Sequence, residues 1–281
     1  MNTCADHSDN TLQCYVQSIA VLGPGLPDWE MGQSVLCGQQ DYQRNEFQIP
    51  SVTWLPATER RRVGNLVRLA LSVGQAAIET ANIDASELTT VFTSSSGDGD
   101  NSHAMFTALA HDENSERFIS PTRFHNSTHN APAGYWSIAN QCMSPSTSLC
   151  AYDASFAAGL LEACCQSMTI GKQVLLVSSD VMYPYPLSGI RPMSSNFAVA
   201  MVLNAVAVSP AQTKLTLRCT TEPVSPMENH ELNALCLSNP SARSLPLLQT
   251  IAKKPSRSGQ TLPDRVRLEY LAPLSLEILV D

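Results

Sequence analysis

Short β-branched apolar runs alternate along this chain with longer segments whose apolar residues recur at helical spacing, and that alternation restricts the fold more than any other feature. Tyr15 to Leu22 reads as a buried strand stopped by Gly23, Pro24 and Gly25. Arg61 to Ala81 carries Val63, Leu66, Val67, Leu69, Ala70, Val73, Ala76 and Ala77 on one stripe, which predicts a long amphipathic helix. Thr89 to Thr93 is a short β-branched strand, broken by the polar loop Ser94 to Asp100, and a helix is expected over His103 to Ala110. Further helices are predicted at Ala131 to Asn140 and Phe156 to Met168, with a strand from about Thr147 to Tyr152 between them. Val174 to Ser178 and Ala198 to Val208 read as strands. Beyond about Pro210 the pattern thins to Lys214–Cys219, a helix at Ala242 to Lys253, a loop at Lys254 to Pro263 and a closing strand pair around Val266–Tyr270 and Leu276–Val280. This order predicts an α/β layered sheet with helices on its faces.

The remaining bulk properties exclude other classes. A chain of 281 residues that is 43% hydrophobic and 15% charged has enough apolar material for a large core, which excludes disorder. Its formal charge of -8 offers no broad basic face for nucleic acid, and the dense cationic run Arg60 to Arg62 reads as a solvated helix start. Nine cysteines without CxxC or Cys/His ligand spacing point to small reduced core residues, with no metal site and no cofactor expected. The start Met1 to His7 lacks a cationic region followed by an apolar run, and no stretch is long enough to span a bilayer, so a cytoplasmic protein is expected.

Several landmarks fall in a fixed order. They are the loop Ser95 to Gly99, the helix start Asn130-Ala-Pro-Ala-Gly134 followed by Trp136 to Ile138, the run Pro145 to Leu149, the segment Ser155 to Ala163, and the strand Phe197 to Leu203. From Ser95 to Ala163 their spacing follows, without a gap, the pattern of the β-ketoacyl synthases of the thiolase superfamily, which this chain resembles over about residues 12 to 204. Leu55 to Arg62, Ser94 to Asp100, Pro121 to Asn126 and Ser148 to Phe156 more narrowly resemble the chain length factors of bacterial aryl polyene clusters. The resemblance implies a thiolase-like layered fold (α-β-α-β-α), with residues 1–204 as a complete first half and 205–281 as a shortened second half completing the second sheet.

The same resemblance exposes what is missing. Where the family places its nucleophilic cysteine, at a turn opening a buried helix whose positive end favours the thiolate, this chain has Asp153. An aspartate there suits a helix cap, but it does not take an acyl chain from a thioester as a stable intermediate, and its charge repels a malonyl carboxylate. The two histidines that the family supplies from its second half have no counterpart, since beyond residue 204 only His230 occurs, in the unrelated context Glu228 to Glu231. One rescue is an acyl-transfer site using Cys150 or Asp153, with His125 and His129 upstream. Against it, Cys150 sits in the apolar run Ser148 to Tyr152, where a small core residue is expected, and Cys164 and Cys165 are read the same way.

A silent relative of this kind implies a partner. The resemblance places Thr147, Ser148, Leu149, Cys150, Ala151 and Tyr152 on a strand that pairs across a two-fold axis with a β-ketoacyl-ACP synthase, giving a heterodimer in which the partner handles the acyl chain borne by acyl carrier protein. It also implies that Met105, Phe106 and Leu109, together with Arg123, Phe124, Ser127 and Thr128, wall the end of the acyl tunnel, with plain helix core as the competing reading for Phe106 and Leu109.

Overall fold

The computed structural model describes residues 11–110, 118–254 and 262–281. The start Met1 to His7 and residues 255–261 of the expected loop Lys254 to Pro263 lie outside them. The elements run β1 (Leu12–Leu22), α1 (Trp29–Leu36), α2 (Ala57–Arg60), α3 (Asn65–Ala81), β2 (Thr89–Thr93), α4 (Gly99–Leu109), α5 (Pro121–His125), α6 (Ala131–Asn140), β3 (Ser146–Leu149), α7 (Ser155–Ile170), β4 (Val174–Asp180), α8 (Leu187–Ile190), β5 (Phe197–Asn204), β6 (Thr213–Thr220), α9 (His230–Ser238), α10 (Leu245–Lys253), β7 (Asp264–Glu269) and β8 (Ser275–Val280). Single 3-10 turns stand at Ala85–Glu87, Tyr152–Ala154 and Ser241–Ser244.

All eight strands belong to one sheet in the order β3-β2-β4-β5-β1-β6-β8-β7. The pairs β2/β3 and β2/β4 are parallel, and every other neighbouring pair is antiparallel. The layered α/β architecture is therefore as expected, but among the described residues the C-terminal strands extend this sheet and do not complete a second one. β6 pairs directly with β1, and β8 and β7 follow outward, because the inward residues Leu215, Leu217, Leu276, Ile278, Val266 and Leu268 continue the apolar face of the first strands.

Two apolar cores cover the two faces. One holds α3 and α6 against Ala20, Leu22, Leu175, Val177, Ala198, Ala200 and Val202. The other holds α1, α7, α9 and α10 against Val91, Val174, Leu176, Val199, Met201 and the inner side of β6, β8 and β7. A β-bulge in β1 between Val16 and Ser18 keeps the second face continuous: Cys14 and Val16 point to it before the bulge, Ile19 and Val21 after it. Each fully buried leucine or phenylalanine, such as Leu160 or Phe156 on α7, contributes about 1.5–3 kcal/mol of burial free energy. α7 lies so close to the sheet that a Cβ on Gly159 would run into the Thr93 methyl, which makes glycine a requirement there.

Element ends differ from expectation for identifiable reasons. α3 begins at Asn65, because Gly64 abuts the Asp98 carboxylate. That same carboxylate accepts the Asn101 N–H at 2.9 Å and starts α4 inside the expected polar loop. The strand expected over Thr147 to Tyr152 is Ser146–Leu149 instead, so Cys150, Ala151 and Tyr152 leave the ladder.

Candidate functional site

The turn between β3 and α7 carries Asp153, the residue that the resemblance sets at the family's nucleophile position. Tyr152 has a φ of 53°, left-handed backbone that a tyrosine adopts only when its surroundings impose it. The turn closes on itself: Ala154 donates to Ala151 O at 2.9 Å, and the Ser155 hydroxyl accepts from Ala151 N at 3.0 Å while donating to Tyr152 O at 2.7 Å. Asp153 follows, and its carboxylate does not cap the helix as expected. α7 has no side-chain cap, and both Asp153 oxygens are taken by arginines.

Arg191, at the end of α8, pairs with Oδ1, and Arg243, from the 3-10 turn Ser241–Ser244, pairs with Oδ2 at 3.0 Å. Arg243 also pairs with Glu269 at the end of β7. The Arg191 guanidinium lies 3.6 Å above the Tyr152 ring and 5.8 Å from the Tyr183 ring, a stacked cation over two aromatic faces. With side-chain exposures of 28% for Asp153, 19% for Arg191 and 15% for Arg243, the cluster is mostly shielded, so these charge-assisted bonds are strong ones. The two guanidiniums thus neutralise the Asp153 carboxylate and engage one hydrogen bond on each of its oxygens. The arginines were not legible in the sequence, because neither stands at a spacing that links it to residue 153.

Beneath this turn lies a second carboxylate, Asp180 at the end of β4, which is buried. It accepts from Ser95 N at 2.8 Å and from the hydroxyls of Ser94 at 3.2 Å and Ser241 at 2.7 Å. Burial pushes its carboxyl above the usual aspartate range, and the hydrogen bonds from Ser241, Ser95 and Ser94 offset part of that shift. Asp180 thereby ties the glycine-bearing loop after β2 to the C-terminal turn that carries Arg243.

The cysteine readings divide. Cys164 is buried as expected, Cys165 only partly, and Cys150 is exposed, with its sulfur 3.4 Å from Nε2 of His129. The core reading of Cys150 fails because β3 ends at Leu149 and the chain turns outward. His125 is not part of this pair and stacks edge-on against Tyr135 instead. Desolvation, together with the negative charge of Asp180, raises the Cys150 thiol above its ordinary range, opposite to what a nucleophilic thiolate needs.

The residues expected at a tunnel wall sit on α4, α5 and the turn that follows. Asn101 Nδ2 donates to Arg123 O at 2.8 Å and joins the two helices. Phe106 is 69% exposed, Leu109 42% and Phe124 67%, while Met105 is half-buried. Helix core is thus the wrong reading for Phe106 and Leu109: α4 packs through Gly99 and Asn101, leaving those two side chains outside. Ser127 and Thr128 are exposed and bond back to Phe124 O at 2.7 Å and His125 O at 3.4 Å. Arg123 lines a polar cavity of about 440 Å³ with Arg61, Asp98, Asn101 and Asn126 rather than joining the apolar side chains. β3 forms one edge of the sheet, and Thr147, Ser148 and Leu149 on it are half-buried.

Residues 36–265 match the family model described as beta-ketoacyl synthase, N-terminal domain. The chain belongs to that family. Among solved structures, the ketosynthase ApeO in complex with its chain length factor ApeC from Xenorhabdus doucetiae is similar at 21% identity and a TM-score of 0.69, covering 95% of this chain and 99% of that one. The ishigamide ketosynthase/chain length factor matches at 10% identity and a TM-score of 0.70, covering 96% and 99%. The complex AntDE:AntF, a type II polyketide synthase acyl carrier protein with its ketosynthase, matches at 12% identity and a TM-score of 0.73, also covering 96% and 99%. At these identities the structural likenesses establish the thiolase-like ketosynthase fold. A comparison with curated proteins finds no match. Among the described residues, no helix is long and apolar enough to cross a membrane, and no group of three or more His, Cys, Asp or Glu is placed to hold a metal ion.

Proposed function

We propose that this chain is a chain-length-factor subunit, without condensing chemistry of its own, that pairs in the cytoplasm with a β-ketoacyl-ACP synthase and closes the end of that partner's acyl tunnel. One observation carries the reading: Asp153, which the resemblance sets at the nucleophile position, has its two oxygens engaged by Arg191 and Arg243. A condensing enzyme needs a group there that both forms and releases a thioester, and a carboxylate neutralised by two guanidiniums does neither.

Three further points support it. Two of the similar structures are described as a ketosynthase with a chain length factor, and a third includes an acyl carrier protein. The β3 edge carries no charged side chain, which suits an edge meant for a second subunit. Among the described residues, Phe106, Leu109 and Phe124 present large exposed apolar side chains, as expected where a neighbouring subunit and its acyl chain meet them. Residues 1–204 would supply the ketosynthase-like half, and 205–281 the segment that caps it and delivers Arg243.

The Cys150–His129 contact favours a second reading, acyl transfer by this chain alone. The two are separated by incubating the purified chain with an acyl thioester and determining its mass. No adduct is expected, whereas co-expression with a ketosynthase should yield a one-to-one complex. A thioester on Cys150, lost in Cys150→Ala, would overturn the proposal. Within the complex, Phe106→Ala should lengthen the product, and an unchanged product distribution would remove Phe106 from the tunnel wall.

A further inference from the structure

We propose that the ion-pair chain Glu269–Arg243–Asp153–Arg191 holds the β3 edge in its docking conformation, making Arg243 and Arg191 positioning residues for partner binding; this rests on β3 being the docking edge. β3 has four residues and, among the described residues, pairs on one side only, with β2. Its geometry therefore depends on what anchors its ends. At its C-terminal end the chain passes through Cys150 and Ala151 into Tyr152, whose left-handed φ of 53° is unfavourable for a residue with a Cβ.

The local hydrogen bonds of the turn run through Ala151, Tyr152, Ala154 and Ser155, and one longer bond, from the Ser155 hydroxyl to Ser94 O at 3.4 Å, reaches the loop after β2. The charged ties from the turn to the rest of the protein come from the arginines. Arg191 stacks on the Tyr152 ring at 3.6 Å and pairs with the adjacent Asp153, so one guanidinium holds both residues of the strained step. Arg243 grips the other Asp153 oxygen at 3.0 Å and is itself held by Glu269, which anchors the turn to β7 at the far edge of the same sheet. Without this chain of ion pairs Tyr152 would relax towards ordinary backbone angles, and Ala151, Cys150 and the end of β3 would rotate with it. The C-terminal segment would then supply the cation that keeps the docking strand in shape, at the place where the family keeps its nucleophile.

Cys150 gives the test its internal reporter, because it lies between β3 and Tyr152 and is exposed, whereas Cys14, Cys142 and Cys164 are buried elsewhere. In the full chain, Arg243→Met should raise the rate at which Cys150 is alkylated at least threefold, read by peptide mass, with Cys14, Cys142 and Cys164 as protected as before. The same variant should weaken the complex with the ketosynthase about tenfold. Glu269→Gln should shift both readouts the same way by less, and Arg243→Lys should recover part of each. Unchanged Cys150 labelling, labelling that rises equally at the buried cysteines, or unchanged partner affinity overturns the inference. Failure of the unaltered chain to bind a ketosynthase would instead defeat the reading it rests on, while the labelling comparison would still decide whether the arginines order the turn.

Discussion

At one edge of the sheet, β3 presents Ser146, Thr147, Ser148 and Leu149; at the other, β7 presents Asp264, Arg265, Val266, Arg267, Leu268 and Glu269. Behind each edge stands a carboxylate gripped by arginines, but the arginines come from different places. Glu277 on β8 takes Arg218 from β6 at 2.7 Å, Arg267 from β7 at 2.8 Å and Arg265 from β7 at 3.4 Å, so the strands supply the cations themselves and the outermost strand is laced with charge. Asp153 draws Arg191 and Arg243 from remote turns, which order the end of β3 without placing any charge on it. The lesson is that equivalent electrostatics can defend a sheet edge or merely shape it, depending on whether the charges sit on the edge strand. A defended edge stays solitary, and a shaped but bare one is ready for a second strand.

The sharpest way to break this contrast is to defend the bare edge. Ser148→Lys places a charge on a half-buried position of β3, and the complex with a ketosynthase is expected to weaken at least about 100-fold, read by light scattering or analytical sedimentation. The chain's own stability should change by less than about 1 kcal/mol, since the side chain can reach solvent. An intact complex would show that docking does not use this edge.

Next comes the clamp behind β3. Asp153→Ala leaves two largely shielded guanidiniums facing each other without an anion, and a loss of about 2–3 kcal/mol in chemical denaturation is expected. Asp153→Cys should be destabilised less, since the arginines favour its thiolate, and should still support no condensation, because the family's histidine contexts are not found beyond residue 204. A variant as stable as the parent would show the two ion pairs to be incidental.

How far these features could be read from the sequence depends on whether they are local. The strand and helix periodicities placed β2 and α6 at their observed limits, and α7 within two residues, because burial of one stripe or one face is written in consecutive residues. The position of Asp153 was legible for the same reason, through spacing along the chain. Its partners were not, since Arg191 and Arg243 reach it across 38 and 90 residues. The second sheet came from the resemblance, whereas among the described residues β6, β8 and β7 extend the first, since an apolar strand face says nothing of which sheet it joins. Cys150 was misplaced by one boundary: ending β3 at Leu149 rather than Tyr152 turns a buried position into an exposed one.

The carboxylate behind the defended edge offers a smaller and pH-dependent effect. Burial pulls Glu277 upward, but the guanidiniums of Arg218 and Arg267, with Arg265 nearby, outweigh it and hold the carboxyl below the usual glutamate range. A group whose folded value is depressed stabilises the fold above its unfolded value, about 4.3, and loses that contribution as pH falls through the folded one. Glu277→Gln should therefore cost about 1–2 kcal/mol at neutral pH, less than Asp153→Ala because the amide keeps an acceptor and the half-exposed arginines regain water. The gap between variant and parent should narrow as pH drops below about 4. A gap that stays constant with pH would mean that shape rather than charge is what Glu277 contributes.

The smallest effect on stability is expected where the contrast between edges is most direct. Arg265 is half exposed and only 3.4 Å from Glu277, so Arg265→Val should change stability by no more than about 0.5 kcal/mol. What it removes is a charge from the outermost strand, adding an apolar side chain on the face of that six-residue edge opposite the buried Val266 and Leu268. Such an edge moves towards β3 in lacking repulsion, and concentration-dependent self-association by light scattering should follow even though the fold is untouched. If this variant stays as monodisperse as the parent, the charges on β7 are not what keeps that edge single, and the openness of β3 could no longer be argued from its lack of them.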